Sequence, residues 1–77
     1  MPRRLAPVDN KTWRKFLNHI GCKKIRQKGD HLVYSREGLI RPIIFRSRGD
    51  VPILHIKTCL KTLGMTIQEF LGIISSF

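Results

Sequence analysis

The chain has 77 residues, of which 42% are hydrophobic, and its 15 Lys and Arg against 5 Asp and Glu give a formal net charge of +10. This length provides one small core and excludes a second domain. So much positive charge on so little surface indicates a polyanionic partner. Nucleic acid, an anionic membrane and an acidic protein all satisfy that charge, and a basic surface that serves only solubility is the remaining interpretation.

The two cysteines, Cys22 and Cys59, are too few for a metal cage and form no C-x-x-C motif. We interpret them as small apolar side chains in a reducing compartment. Residues 1–8 hold two prolines and two arginines before any periodicity begins, which predicts a flexible basic arm ahead of a single domain over residues 9–77. No run of residues has the apolar length of a signal sequence or a membrane span. We therefore expect a cytoplasmic protein without metal, cofactor or membrane anchor.

The first helical pattern follows Asp9, which is placed to accept hydrogen bonds from first-turn amides. Val8 and Trp13 occupy the positions of a hydrophobic staple, and Gly21 stands where a left-handed residue ends a helix. The spacing therefore predicts a helix over residues 10–20. Its buried face has the i, i+3, i+4, i+7 spacing of Trp13, Phe16, Leu17 and Ile20.

Alternating residues from Cys22 to Ser35 predict two antiparallel strands joined by Gly29-Asp30. A two-residue turn with glycine first suits a type II′ hairpin, in which Lys28 pairs with His31. A three-residue turn would instead move His31 to the core face, because side chains alternate along a strand with a period of two. The two-residue register pairs Arg26 with Val33 and Lys24 with Ser35. It places Lys24, Arg26, Lys28 and His31 on one face and Ile25, Leu32 and Tyr34 in the core.

A third strand is predicted over residues 40–46, and Pro42 indicates that its early part lies at an edge or outside the ladder. The loop over residues 47–52 follows, and Arg46 and Arg48 lie at its start.

Two helices complete the predicted order. The first covers residues 53–63, with the apolar stripe Ile56, Cys59, Leu60 and Leu63. The second covers residues 67–75 and begins with the capping box formed by Thr66 and Glu69; its stripe is Ile67, Phe70, Leu71 and Ile74. This order predicts an α+β fold in which helices cover one face of a three-stranded antiparallel sheet and leave the other face free.

Histidine is the side chain best suited to proton transfer near neutral pH, and the chain has three. His19 lies off the apolar stripe at the end of the first helix, where we interpret it as structural or solvated. His55 begins the second predicted helix and is interpreted as a loop or capping residue with a minor claim as a phosphate contact. His31 differs because it follows Gly29, where a phosphate can approach the backbone closely. By position alone it is a catalytic base or a polar residue at the end of a hairpin.

Several segments together resemble the HicA family of mRNA interferase toxins, over about residues 11 to 74. They are Gly21-Cys22, Arg26-Gln27-Lys28-Gly29-Asp30-His31, Val51-Pro52, Leu60-Lys61-Thr62-Leu63-Gly64-Met65-Thr66 and Glu69-Phe70-Leu71. The resemblance implies a double-stranded-RNA-binding-like fold, metal-independent cleavage of mRNA that depends on His31, and neutralisation by a HicB antitoxin. The family commonly has Ser at the position of Asp30 and often a second His at the position of Leu32.

The resulting hypothesis is an endoribonuclease of a type II toxin–antitoxin system in which His31 is the general base. Its predicted RNA contacts are Lys24, Arg26, Lys28, Gly29, Arg46 and Arg48. One alternative is a non-catalytic RNA-binding module with the same fold, and another is a scaffolding protein whose basic face binds an acidic partner. Spacing provides no Ser-His-Asp or Cys-His arrangement and no glycine-rich phosphate loop, which argues against protease, glycosidase and nucleotide-hydrolase functions.

Overall fold

The computed structural model describes residues 4–77 and confirms the predicted α+β class, with three helices and a three-stranded antiparallel sheet. The sheet has the strand order β2-β3-β4, and a short antiparallel ribbon, β1-β5, was not predicted. The elements in chain order are β1 (Val8–Asp9), α1 (Asn10–His19), β2 (Lys23–Lys28), β3 (His31–Ser35), β4 (Ile43–Arg46), β5 (Asp50–Val51), α2 (Ile53–Leu63) and α3 (Ile67–Ile74). The third strand begins after Pro42, as the proline indicated.

The predicted basic arm over residues 1–8 meets the core at its end. Leu5 is half-buried against the core, and Val8 is buried and pairs with Val51 in the β1-β5 ribbon. Val8 therefore belongs to the domain rather than to the arm, because its side chain is apolar and adjoins the start of α1. Residues 1–3 of the predicted arm lie outside the described residues.

Both predicted ends of α1 are confirmed. The carboxylate of Asp9 accepts hydrogen bonds from the backbone N–H of Thr12 at 3.1 Å and from its hydroxyl at 2.6 Å. Gly21 has a φ of 91°, the left-handed conformation that glycine adopts without a steric cost. The hydrogen bonds from Thr12 hold the pKa of Asp9 below its ordinary value of 3.8. The cap therefore stabilises the fold above that pH, and its contribution is lost as the pH falls through the lowered pKa.

The capping box at the start of α3 is also confirmed. The hydroxyl of Thr66 accepts from the backbone N–H of Glu69 at 3.1 Å, and the Glu69 carboxylate accepts from the backbone N–H of Thr66 at 3.1 Å. These two bonds satisfy donors at the helix start that would otherwise have no partner within the helix.

We expect Thr66→Ala to destabilise the protein by about 1 kcal/mol, because it removes the capping acceptor. In a chain of this size that change lowers the thermal midpoint by roughly 4–8 °C, measured by far-UV circular dichroism. Thr58→Ala is the matched control, since the Thr58 hydroxyl bonds only to the carbonyl one turn back within α2. Alanine favours a helix interior more than threonine does, so equal losses in the two variants would contradict the capping account.

The core lies between the helices and one face of the sheet. Trp13 is fully buried, and its ring contacts Phe16 of α1, Phe45 of β4 and Phe70 of α3 at centroid distances of 5.4, 6.4 and 5.8 Å. Tyr34, which the predicted register placed in the core, is buried, and its ring centroid lies 5.3 Å from that of Phe45. This aromatic cluster therefore joins α1 and α3 to the sheet. The predicted stripes are otherwise buried or half-buried, except that Ile67 is exposed in the first turn of α3.

Cys22 and Cys59 are buried free thiols, as their predicted apolar role requires. Burial raises the pKa of the Cys59 thiol to about 12 from an ordinary value of 9.0, so the thiol stays protonated at neutral pH. The resulting stabilisation is present below pH 9 and is lost as the pH rises toward 12. Within residues 4–77 the longest helix, α2, has 11 residues, and no helix is long and apolar enough to cross a membrane.

Candidate functional site

The hairpin of β2 and β3 carries His31, and its two-residue turn is confirmed. Gly29 has a φ of 60° while Asp30 has a negative φ, the combination that a type II′ turn requires. Lys28 pairs with His31, and Arg26 pairs with Val33. His31 therefore lies on the face of the sheet that the helices leave open, as the two-residue register predicted.

The half of the hairpin farther from the turn contradicts the predicted pairing. A β-bulge between Lys24 and Arg26 adds Ile25 as an extra residue, so that Lys24 pairs with Tyr34 instead of Ser35. Because paired residues share a face, Lys24 moves to the face of the buried Tyr34 and away from His31. Ile25, which was predicted to be buried, is 59% exposed. The predicted placements of Lys24 and Ile25 were therefore wrong.

A row of three paired residues crosses the open face of the sheet. His31 lies in the central strand, with Lys28 of β2 on one side and Arg46 of β4 on the other. Directly paired side chains have Cβ atoms about 4.5–5.5 Å apart. The next row on this face is Arg26, Val33 and Ile44. Three predicted RNA contacts, Arg26, Lys28 and Arg46, thus share the open face of the sheet with His31, and two of them pair with it directly.

The end of β4 is held in place by three hydrogen bonds whose donors lie outside the strand. The backbone N–H of Ser47 donates to the carbonyl of Asp30 at 2.6 Å, which ties β4 to the hairpin turn. Arg14 donates to the carbonyl of Ser47 at 3.0 Å, and the side-chain amide of Asn10 donates to the carbonyl of Arg46. Arg46 and His31 are therefore fixed relative to each other and to α1.

The predicted contacts Gly29 and Arg48 lie apart from this row. Gly29 forms the turn at the end of the hairpin, next to Lys28. Arg48 is exposed in the loop between β4 and β5. Both positions remain open to a long polyanion that extends past the end of the sheet.

Asp30 contacts His31 directly: its Oδ1 lies 3.1 Å from Nδ1 of the imidazole. A proton on Nδ1 is therefore favoured, and in the neutral ring this leaves the lone pair on Nε2. Both side chains are about half exposed, at 52% for His31 and 50% for Asp30. The arrangement orients the ring and keeps Nε2 free to accept a proton.

An open cavity of about 600 Å³ adjoins the row. Its polar lining comes from His31 and Arg46 of the sheet, from Asp50 of β5 and from His55 of α2. Val51 and Pro52, which lead from β5 into α2, also line it, so residues of the sheet and of a helix face the same cavity. Its volume falls within the range of about 300–1,000 Å³ that is usual for small-molecule sites.

His55 also lines the cavity, although its place in the sequence predicted only a loop or capping role. It lies in the first turn of α2 and is half-buried, behind the N-cap residue Pro52. Proline carries no side-chain oxygen, so it offers no acceptor to the first-turn amides, which are a favourable environment for an anion. In the sequence, the only sign of this position is that Val51-Pro52 precedes the helix and His55 falls in its first turn.

Comparison with known proteins found no match: no protein-family model, curated protein or solved structure matches the chain. Among the residues that the structure describes, no group of three or more His, Cys, Asp or Glu side chains is arranged to hold a metal ion.

Proposed function

We propose that the protein is a metal-independent endoribonuclease that cuts mRNA, with His31 as the general base. The observation that carries the proposal is the position of His31: it lines an open cavity, lies between Lys28 and Arg46, and bonds Asp30 through Nδ1. A polar residue that only ends a hairpin would need none of these neighbours. The resemblance to HicA toxins supports the same residue independently.

In the proposed reaction, Nε2 of His31 takes the proton of a ribose 2′-hydroxyl. The 2′ oxygen forms a bond to the adjacent phosphorus, and the bond from phosphorus to the 5′ oxygen breaks. Lys28 and Arg46 hold the phosphate and stabilise the charge that develops on its oxygens. Asp30 orients the imidazole and stabilises the imidazolium that forms, as a carboxylate does in a catalytic triad. The departing 5′ oxygen takes up a proton, and the products are a 2′,3′-cyclic phosphate and a free 5′-hydroxyl.

The biological setting and the finer fold are also proposals. A double-stranded-RNA-binding-like fold accounts for helices on one face of the sheet and cations on the other, since such domains read RNA by shape and backbone. The resemblance further suggests a cytoplasmic toxin neutralised by a HicB-like antitoxin, and the net charge of +10 suits an acidic partner as well as RNA. We place RNA first because Lys28 and Arg46 pair with a histidine that lines a cavity.

The affinity for single-stranded RNA should fall with salt, at a slope in log K against log salt of about −0.7 for each phosphate neutralised. We expect Arg46→Ala to weaken binding and to reduce the magnitude of that slope by about 0.7. Fluorescence anisotropy with a labelled oligonucleotide at several salt concentrations measures both values.

Lys15→Ala is the control for this titration, because it removes the same charge from α1, where the ammonium lies 5.3 Å from the ring centroid of Phe77. Its slope should match that of the wild type. If Lys15→Ala and Arg46→Ala change the slope equally, RNA does not bind specifically at the open face of the sheet.

The direct test of function is incubation of the protein with an RNA strand and with a DNA strand of the same sequence. The proposed route requires the 2′-hydroxyl, so only the RNA should be cut. Tight binding of an RNA that stays intact would favour the non-catalytic binding module.

A further inference from the structure

The cavity beside His31 holds a second histidine for which the reaction above has no role. His55 comes from α2, whereas His31 comes from the central strand of the sheet, and both side chains line the same cavity. Cleavage of an RNA phosphodiester needs two proton transfers: one group removes the 2′ proton, and another protonates the departing 5′ oxygen. A pair of histidines in one cavity matches that requirement.

We propose that His55 is the general acid of this ribonuclease, an assignment that rests on the proposed function. The imidazolium of His55 gives its proton to the 5′ oxygen as the bond from phosphorus to that oxygen breaks. His31 simultaneously gains the 2′ proton, so the reaction consumes no net proton. Exchange with water then returns both rings to their starting states.

The position of His55 is set by its neighbours in the chain. Ile56 is fully buried, and this fixes the rotation of α2 about its axis. Val51 is buried and pairs with Val8, which holds β5 against the domain just before the helix begins. Pro52 then restricts the backbone at the entry to the helix. The imidazole of His55 is therefore carried on a well-anchored helix start rather than on a free loop.

The charged groups around His55 come from three elements. Asp50 of β5 lines the cavity and is its one acidic residue within residues 4–77. Arg46 of β4 and His31 of β3 line the same cavity, and the first-turn amides of α2 lie at the start of the helix that carries His55. In the proposed complex the scissile phosphate lies among these groups, within reach of both histidines.

The test compares two RNA oligonucleotides that differ in one atom at the cleavage site. One has the natural 5′ oxygen, and the other has a bridging 5′ sulfur, which leaves as a thiolate without needing a proton. Single-turnover rates are measured for the wild type, His55→Ala, His55→Gln and His31→Ala, each checked for folding by circular dichroism. The Gln variant keeps most of the side-chain volume in case the smaller Ala loosens the helix start.

We expect His55→Ala and His55→Gln to cut the natural RNA about 10²- to 10⁴-fold more slowly than the wild type. Both should recover most of the wild-type rate on the sulfur substrate, whereas His31→Ala should stay defective on both substrates. The assignment of His55 is overturned if its variants cut natural RNA at the wild-type rate. That result leaves the proposed ribonuclease function standing. The assignment is also overturned if the variants lose the same factor on both substrates, since that is the result of a binding role. A wild type that cuts neither substrate overturns the ribonuclease, and the role of His55 with it.

Discussion

His31→Ala is expected to lose about 10²- to 10⁴-fold in the rate of RNA cleavage, which is the usual contribution of general-base catalysis. The affinity for RNA should change little, because Lys28, Arg46 and Arg26 remain on the open face of the sheet. The two effects separate when cleavage is measured in single turnover at saturating protein and binding is measured by anisotropy. His31 is half exposed, so its removal leaves no cavity in the core.

His19→Ala is the matched control for this experiment. His19 ends α1, is exposed, and its ring lies 5.8 Å from that of Phe77 at the C-terminus. Its loss should leave both cleavage and binding at wild-type levels. If His31→Ala reduces binding as strongly as cleavage, the imidazole holds RNA and does not catalyse its cleavage. If the rate is unchanged, the base lies elsewhere.

Trp13→Ala is expected to destabilise the fold by about 3–5 kcal/mol, because it deletes a large, fully buried side chain. A chain of 77 residues has a total stability of only about 4–12 kcal/mol at the usual 0.05–0.15 kcal/mol per residue. The variant should therefore be substantially unfolded at physiological temperature. Urea unfolding followed by far-UV circular dichroism measures the loss without relying on tryptophan fluorescence.

Two further variants separate packing from aromatic content. Phe77→Ala removes an aromatic ring that is 41% exposed, and its midpoint should stay close to that of the wild type. Trp13→Phe keeps a ring in the core and also removes the indole N–H, which is buried without a hydrogen-bond partner. Its loss should be well below that of Trp13→Ala. Comparable losses in Trp13→Ala and Phe77→Ala would contradict the central position of Trp13 in the core.

The features that sequence predicted well depend on neighbours along the chain. Asp9 and Thr66 cap helices through bonds to amides three residues away, so their roles can be read from local spacing. The hairpin turn is equally local, because glycine followed by aspartate specifies the turn type. These signals determined the helix starts, the pairing of Lys28 with His31 and the face on which His31 lies.

The features that sequence missed depend on packing between distant segments. Whether Ile25 enters the core or forms a bulge is decided by how β2 fits β3, and alternation alone contains no such information. The ribbon of Val8 and Val51 has two residues per strand, too few for a periodic pattern. His55 and His31 line one cavity because α2 packs beside the sheet. The proposed general acid could therefore be identified only from the fold.

The measurement that tests the central claim most directly is cleavage of end-labelled RNA by the purified wild type in excess chelator, followed by identification of the new ends. A histidine-catalysed attack by the 2′ oxygen predicts chelator-resistant cutting, with a 2′,3′-cyclic phosphate on one fragment and a 5′-hydroxyl on the other. RNA that stays intact, or fragments with a 5′-phosphate and a 3′-hydroxyl, would contradict the claim.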